Sequence, residues 1–103
     1  MTFVNIKDEK CTHYCGRASY YKNNGIDYSI LGNPYTVGEY GRENAIPLFR
    51  KLLNKSRLEN GEMWQALINL PEDAVLGCFC KPKKCHCEVI ISAYNWYKND
   101  NSL

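Results

Sequence analysis

Ala74-Val75-Leu76-Gly77-Cys78-Phe79-Cys80-Lys81-Pro82-Lys83-Lys84-Cys85-His86-Cys87 carries an apolar run into a short stretch dense in cysteine and lysine. An amphipathic segment, residues 88–96, leads out of it, so the frame is strand, loop, helix. In such a frame the loop lies beyond the carboxyl end of the strand, where open α/β sheets bind their ligands. The first turn of the helix directs unpaired backbone N–H groups toward whatever sits there. Four of the 6 cysteines and one of the 2 histidines fall within this run, so the chemistry of the chain is sought here first.

Outward from this run the chain is punctuated rather than periodic. Residues 2–6 alternate and are β-prone, and residues 11–15 form a second short strand ended by Gly16. Between Gly16 and Gly41 no period holds, and Asn23-Asn24-Gly25, Gly32-Asn33-Pro34, Gly38 and Gly41 interrupt it. A segment of that length without structure of its own marks function or disorder; its tyrosines, Tyr20, Tyr21, Tyr28, Tyr35 and Tyr40, argue against disorder. Residues 42–54 carry Ile46, Phe49, Leu52 and Leu53 at helical spacing, with Pro47 expected to delay the start. A shorter helix over 61–69 has Met63, Trp64, Leu67 and Ile68 as its apolar face. Pro71-Glu72-Asp73 turns the chain into a strand over 74–79. A last helix over 85–97 is expected to bury Val89, Ile90, Ala93, Trp96 and Tyr97. The order β, β, long loop, α, α, β, α predicts one small α/β domain over residues 1–103. Its sheet is Rossmann-like, with the last strand central and helices packed on it.

The chain of 103 residues, 45% hydrophobic and 23% charged, is long enough for one core and too charged and apolar to be disordered. Its net charge of +2 excludes a strong phosphate-tracking stripe, so duplex nucleic acid is not the expected partner. No apolar run approaches the ~20 residues that span a bilayer. Met1-Thr2-Phe3-Val4-Asn5 lacks the charged start of a signal peptide, and the chain reads as cytoplasmic with no membrane partner. In that compartment the cysteines are thiols rather than a disulfide framework. The abundance of Asn, Lys, Ile and Tyr is the usage of A/T-rich genomes, such as many phages carry.

Several chemistries fit the residues. Lys81, Lys83 and Lys84 ahead of a helix N-terminus suit an anion, and equally a solvated surface. Cys78, Cys80, Cys85 and His86 offer soft ligands for zinc, with Cys11, His13, Cys15 and Cys87 in reserve. The spacings of one, four and zero intervening residues are poor for one ion, and no metal or other cofactor is assigned. A thiol at Cys80 or Cys85 beside His86 has the surroundings of a nucleophile. Arg17 and Arg42 are candidates for bidentate recognition of phosphate or carboxylate, or for surface ion pairs. Gly32-Asn33-Pro34-Tyr35 is a turn that lets backbone approach a ligand, and tyrosines can stack on a base or fill the margin of a core.

Read together, Gly16-Arg17-x-Ser19, Leu31-Gly32-Asn33-Pro34-Tyr35, Gly41-Arg42-Glu43-x-Ala45-Ile46 and Leu76-Gly77-Cys78-Phe79-Cys80-Lys81-Pro82-x-x-Cys85-His86 resemble an uncharacterised domain family of bacteria and phages. Its marks are a G-N-P-[FY] turn and a C-terminal G-C-[WF]-C-x-P-x-x-C-H signature. The resemblance implies that Gly16, Arg17, Ser19, Gly32, Asn33, Pro34, Arg42, Cys80, Pro82, Cys85 and His86 belong to one shared motif. Where the signature usually continues with glycine, this chain has Cys87 followed by Glu88. The stretch 20–29 is long for the family and reads as a private lid or binding loop.

The function expected from these readings is binding, or sequestration, of a nucleotide-like or phosphorylated anionic small molecule. The pocket would be formed by Gly16, Arg17, Ser19, Gly32, Asn33, Pro34, Tyr35, Arg42, Cys80, Lys81, Pro82, Cys85 and His86, in a phage setting with host nucleotides as ligands. The rivals are an enzyme acting at a glycosidic or phosphate bond through His86 or Cys80, a module that blocks a host protein, and a small structural-zinc domain.

Overall fold

A computed structural model describes residues 1–21, 23–79 and 85–101. Its sheet has four strands, β1 (Thr2–Asn5), β2 (His13–Tyr14), β3 (Ile26–Asp27) and β4 (Val75–Cys78), in the order β1-β4-β2-β3. All three pairings are parallel, and β4 has a neighbour on each side, Phe3 and His13 both opposite Leu76. The expected small α/β domain with its last strand inside the sheet is therefore what the chain forms.

Alternation along β4 divides the core. Leu76 and Cys78 face the larger cluster with Phe49, Leu53, Trp64, Leu67 and Ile90, while Val75 packs on the smaller one with Val4, Cys11 and Tyr14. Thr12 extends the β2 edge, its amide donating to the Val75 carbonyl at 2.8 Å and its Oγ1 accepting from the Val75 amide at 2.8 Å.

Four helices follow in the described residues, three of them where the periodicity placed helices. They are α1 (Val37–Tyr40), α2 (Arg42–Glu59), α3 (Glu62–Ile68) and α4 (His86–Asn101). Pro47 does not delay α2 but lies inside it. It forfeits one backbone bond on the exposed side, and the helix runs on because Ala45, Phe49 and Leu53, four residues apart, anchor the opposite side in the core. Asn60, in the left-handed region at φ 53°, ends the helix, and Ser56 Oγ accepts from the Trp64 amide at 3.0 Å to bracket α2 against α3.

Two other expectations are corrected. The stretch from Gly16 to Gly41 is not structureless: it holds two 3-10 turns (Ala18–Tyr20 and Ser29–Leu31), β3 and α1. The buried face of α4 carries Val89, Ile90 and Tyr94, whereas Trp96 is 50% exposed. Trp96 packs one side against Trp64, ring centroids 6.5 Å apart, and the Arg57 guanidinium lies 5.2 Å from its ring. An indole serves well at such a half-wet margin. Among the described residues no helix is long and apolar enough to cross a membrane.

Candidate functional site

Three pieces of backbone meet beyond the carboxyl ends of β2 and β4. The first is the loop after β2. Tyr14 is fully buried, its hydroxyl donates to the Arg17 carbonyl at 2.7 Å, and burial pushes its pKa up to about 12, so the phenol remains a donor. This bond fixes where the chain turns out at Gly16-Arg17.

The second piece is the Gly32-Asn33-Pro34-Tyr35 turn. Asn33 holds it from both ends: Nδ2 donates to the Ala45 carbonyl at 3.1 Å, and Oδ1 accepts from the Tyr35 amide at 2.9 Å. The turn is thereby tied to the start of α2, the helix that carries Arg42.

The third is the start of α4. Glu88 reaches back to the Cys85 amide at 3.3 Å, half of a capping box. His86 is buried, edge-on to Phe49 with ring centroids 5.0 Å apart, and its Nε2 lies 2.7 Å from the Cys15 carbonyl oxygen. A carbonyl only accepts, so Nε2 carries the proton. Burial lowers the His86 pKa and keeps the ring neutral, which leaves Nδ1 as an acceptor, 3.5 Å from Cys85 Sγ. The ring thus straps α4 to the end of β2 and orients the Cys85 thiol. Cys15 and Cys87 are also buried; burial pushes the Cys15 pKa up, and Cys87 is raised by its hydrogen bond to Cys78 first and burial after it.

Where these pieces meet lies a cavity of about 180 Å³. Gly16, Arg17, Asn33, Tyr35, Arg42, Cys85 and His86 line it, seven residues expected from the sequence. Gly32 and Pro34 line a neighbouring surface cleft with Arg17 and Asn33 instead, and Ser19, exposed in a 3-10 turn, lines neither. Cys80, Lys81 and Pro82 lie outside the described residues. Reasoning from polar and turn residues missed the apolar wall: Tyr20, Val37, Ala45, Ile46, Cys78 and Phe79. Tyr20 and Phe79 are 55% and 37% exposed with ring centroids 6.1 Å apart. An exposed aromatic pair at a cavity was signalled only by the general excess of tyrosine.

A family profile described as "Domain of unknown function (DUF4326)" matches residues 4–96. An uncharacterised 12.4 kDa protein from the nrdA-td intergenic region of Enterobacteria phage T4 is 40% identical over 73 residues, 70% of this chain and 67% of the relative. No solved structure matches the chain.

Proposed function

We propose, for a chain that belongs to the DUF4326 family of domains of unknown function, that it binds a nucleotide-like or otherwise phosphorylated small molecule in this cavity. One observation carries the reading: Arg17 and Arg42 line the same small cavity as the exposed rings of Tyr20 and Phe79, outside the carboxyl ends of two parallel strands. Guanidinium groups suit a phosphate, and exposed rings offer a base a stacking surface. The volume sets the scale, since a cavity of about 150 Å³ accepts one benzene ring. One ring or one phosphorylated sugar fits inside, and the rest of a nucleotide would lie across the mouth. The relative in a bacteriophage supports seeking the ligand among the nucleotides of an infected cell.

The test titrates nucleoside 5′-monophosphates, the parent nucleosides and inorganic phosphate into labelled protein and follows backbone amide resonances. The monophosphates are expected to bind more tightly than either fragment and to shift Gly16, Asn33 and His86. Arg17→Ala and Arg42→Ala should each weaken that binding by ~1.5–3 kcal/mol, tenfold or more, with an unchanged circular dichroism spectrum. If no monophosphate moves those resonances, or if both variants bind like the parent, the reading is wrong.

A cytosolic setting belongs to this proposal. The five described cysteines, Cys11, Cys15, Cys78, Cys85 and Cys87, are all buried thiols. Thiol counting on freshly purified protein, denatured without reductant, should recover all 6 cysteines of the chain. Recovery of only a minority would contradict a reducing compartment.

A further inference from the structure

We infer that Cys78, Cys85 and Cys87 form a binding site for a soft divalent cation, zinc in the cell, at the inner wall of the cavity. Cys78 is the last residue of β4, Cys85 immediately precedes α4, and Cys87 lies in its first turn. All three side chains are buried, and their Sγ atoms lie within 4.8 Å of one another. Zinc with Zn–S bonds of ~2.3 Å holds tetrahedral sulfurs about 3.8 Å apart, so an adjustment of about 1 Å per pair closes the set. Small rotations about Cα–Cβ supply that.

The spacing that disfavours a shared ion for the adjacent Cys85 and His86 does not apply to this trio. Cys85 stands just outside the helix and Cys87 just inside it, so both sulfurs reach the one at the end of β4. The Cys87 amide also points at Cys85 Sγ, N···S 3.5 Å, a donor suited to a thiolate. Three thiols filling a core would account for the burial. Thiol hydrogen bonds such as that between Cys87 and Cys78 would bring sulfurs together as well, but they would not direct a backbone donor at the Cys85 sulfur.

Charge and access are consistent with the same site. A dication held by three thiolates carries one net negative charge, and the amino end of α4, worth roughly +0.5 elementary charge, partly offsets it. Cys78 and Cys85 both line the cavity, so the fourth tetrahedral position opens toward it, where a water or a ligand atom completes the shell. Loading releases the thiol protons to solvent. This site does not depend on the nucleotide reading.

The experiment takes the full chain, purified under reductant and freed of metal by chelator, and titrates it with cobalt(II) and then zinc. One equivalent of cobalt should bind per chain, giving thiolate-to-cobalt charge-transfer absorption and the intense visible bands of tetrahedral cobalt, and zinc should abolish both. Elemental analysis of protein from zinc-supplemented cells should find one zinc per chain. Cys87→Ala and Cys78→Ser should lose the charge-transfer band, whereas Cys11→Ser, a buried cysteine outside the trio, should keep it. Folded parent protein that takes up no cobalt and contains no zinc overturns the inference. Metal uptake that survives Cys87→Ala equally overturns it. Phosphate and monophosphate titrations of Arg17→Ala, run beside these, report on the nucleotide reading alone.

Discussion

Phe49→Ala should destabilise the domain by about 3–5 kcal/mol, the usual cost of removing a buried phenyl ring. Phe49 is fully buried on α2, in the cluster that includes Leu53, Leu67 and Ile90, and its ring meets His86 edge to face at 5.0 Å. Truncation leaves a void where α2, α4 and the sheet converge, and it removes the wall that holds the imidazole against the Cys15 carbonyl. Domains are generally stable by only about 5–15 kcal/mol, so a large share of the whole is at stake. Urea denaturation should show a much lower midpoint for Phe49→Ala. Phe49→Leu, which refills most of the volume, should lose far less. A midpoint for the alanine variant close to the parent's would mean that α2 does not pack as described.

Gly32→Ala is expected to cost about 1–3 kcal/mol, the range for overpacking a well-filled site, and to weaken binding of the proposed monophosphate as well. Backbone conformation is not the reason, because Gly32 has φ −68° and ψ 145°, angles that any residue adopts. The reason is space: a Cβ there would lie 2.6 Å from the Gly16 carbonyl oxygen and 2.9 Å from that of Ser29. Both are backbone atoms and cannot swing aside. Relief requires the Asn33 turn to move away from the Arg17 loop, which opens the cavity between them. Gly38→Ala is the matched control, since nothing lies within 4 Å of a Cβ at that position, and alanine suits the helix α1 better than glycine does. Equal stability and binding in parent and Gly32→Ala would show that the two loops are not in the contact described.

What the sequence disclosed and what it hid follow from how each element is stabilised. β4 and α4 were legible because an apolar run of strand length and a periodic run of helix length flank a break rich in lysine and proline. β3, Ile26–Asp27, was illegible: both residues are exposed, and the strand is held by pairing with β2, the Ile26 amide reaching the Thr12 carbonyl at 2.7 Å and the Tyr28 amide the Tyr14 carbonyl at 2.8 Å. Tertiary pairing made that strand, and two residues carry no period. In α4, Trp96 looked like core by type, but the stripe runs through Val89, Ile90 and Tyr94, and helical angle outweighs hydrophobicity. At the site, arginines, glycines and the asparagine turn stood out because their chemistry needs a special explanation. Ile46 and Ala45 did not, since an apolar wall of a cavity has the same composition as an apolar wall of a core. The sulfur trio was obscured by counting intervals along the chain, whereas its members come from two different elements whose ends meet.

The parallel sheet has a temporal side. Thr2 pairs with Val75 and Tyr14 with Gly77, so the strand that joins β1 to β2 is the last of the four to be synthesised. While a ribosome is still extending the chain through α2 and α3, β1 has no described strand beside it and β2 has only the two-residue β3. Sheet closure, the threading of Leu76 and Cys78 into the larger cluster and the creation of the cavity therefore become one late event in the life of each nascent molecule. Long-range parallel pairings of this kind form slowly and leave strand edges open meanwhile. Until β4 is made and paired, the edges of β1 and β2 that it will cover are open to other chains, so the unfinished molecule is the form most exposed to misassociation.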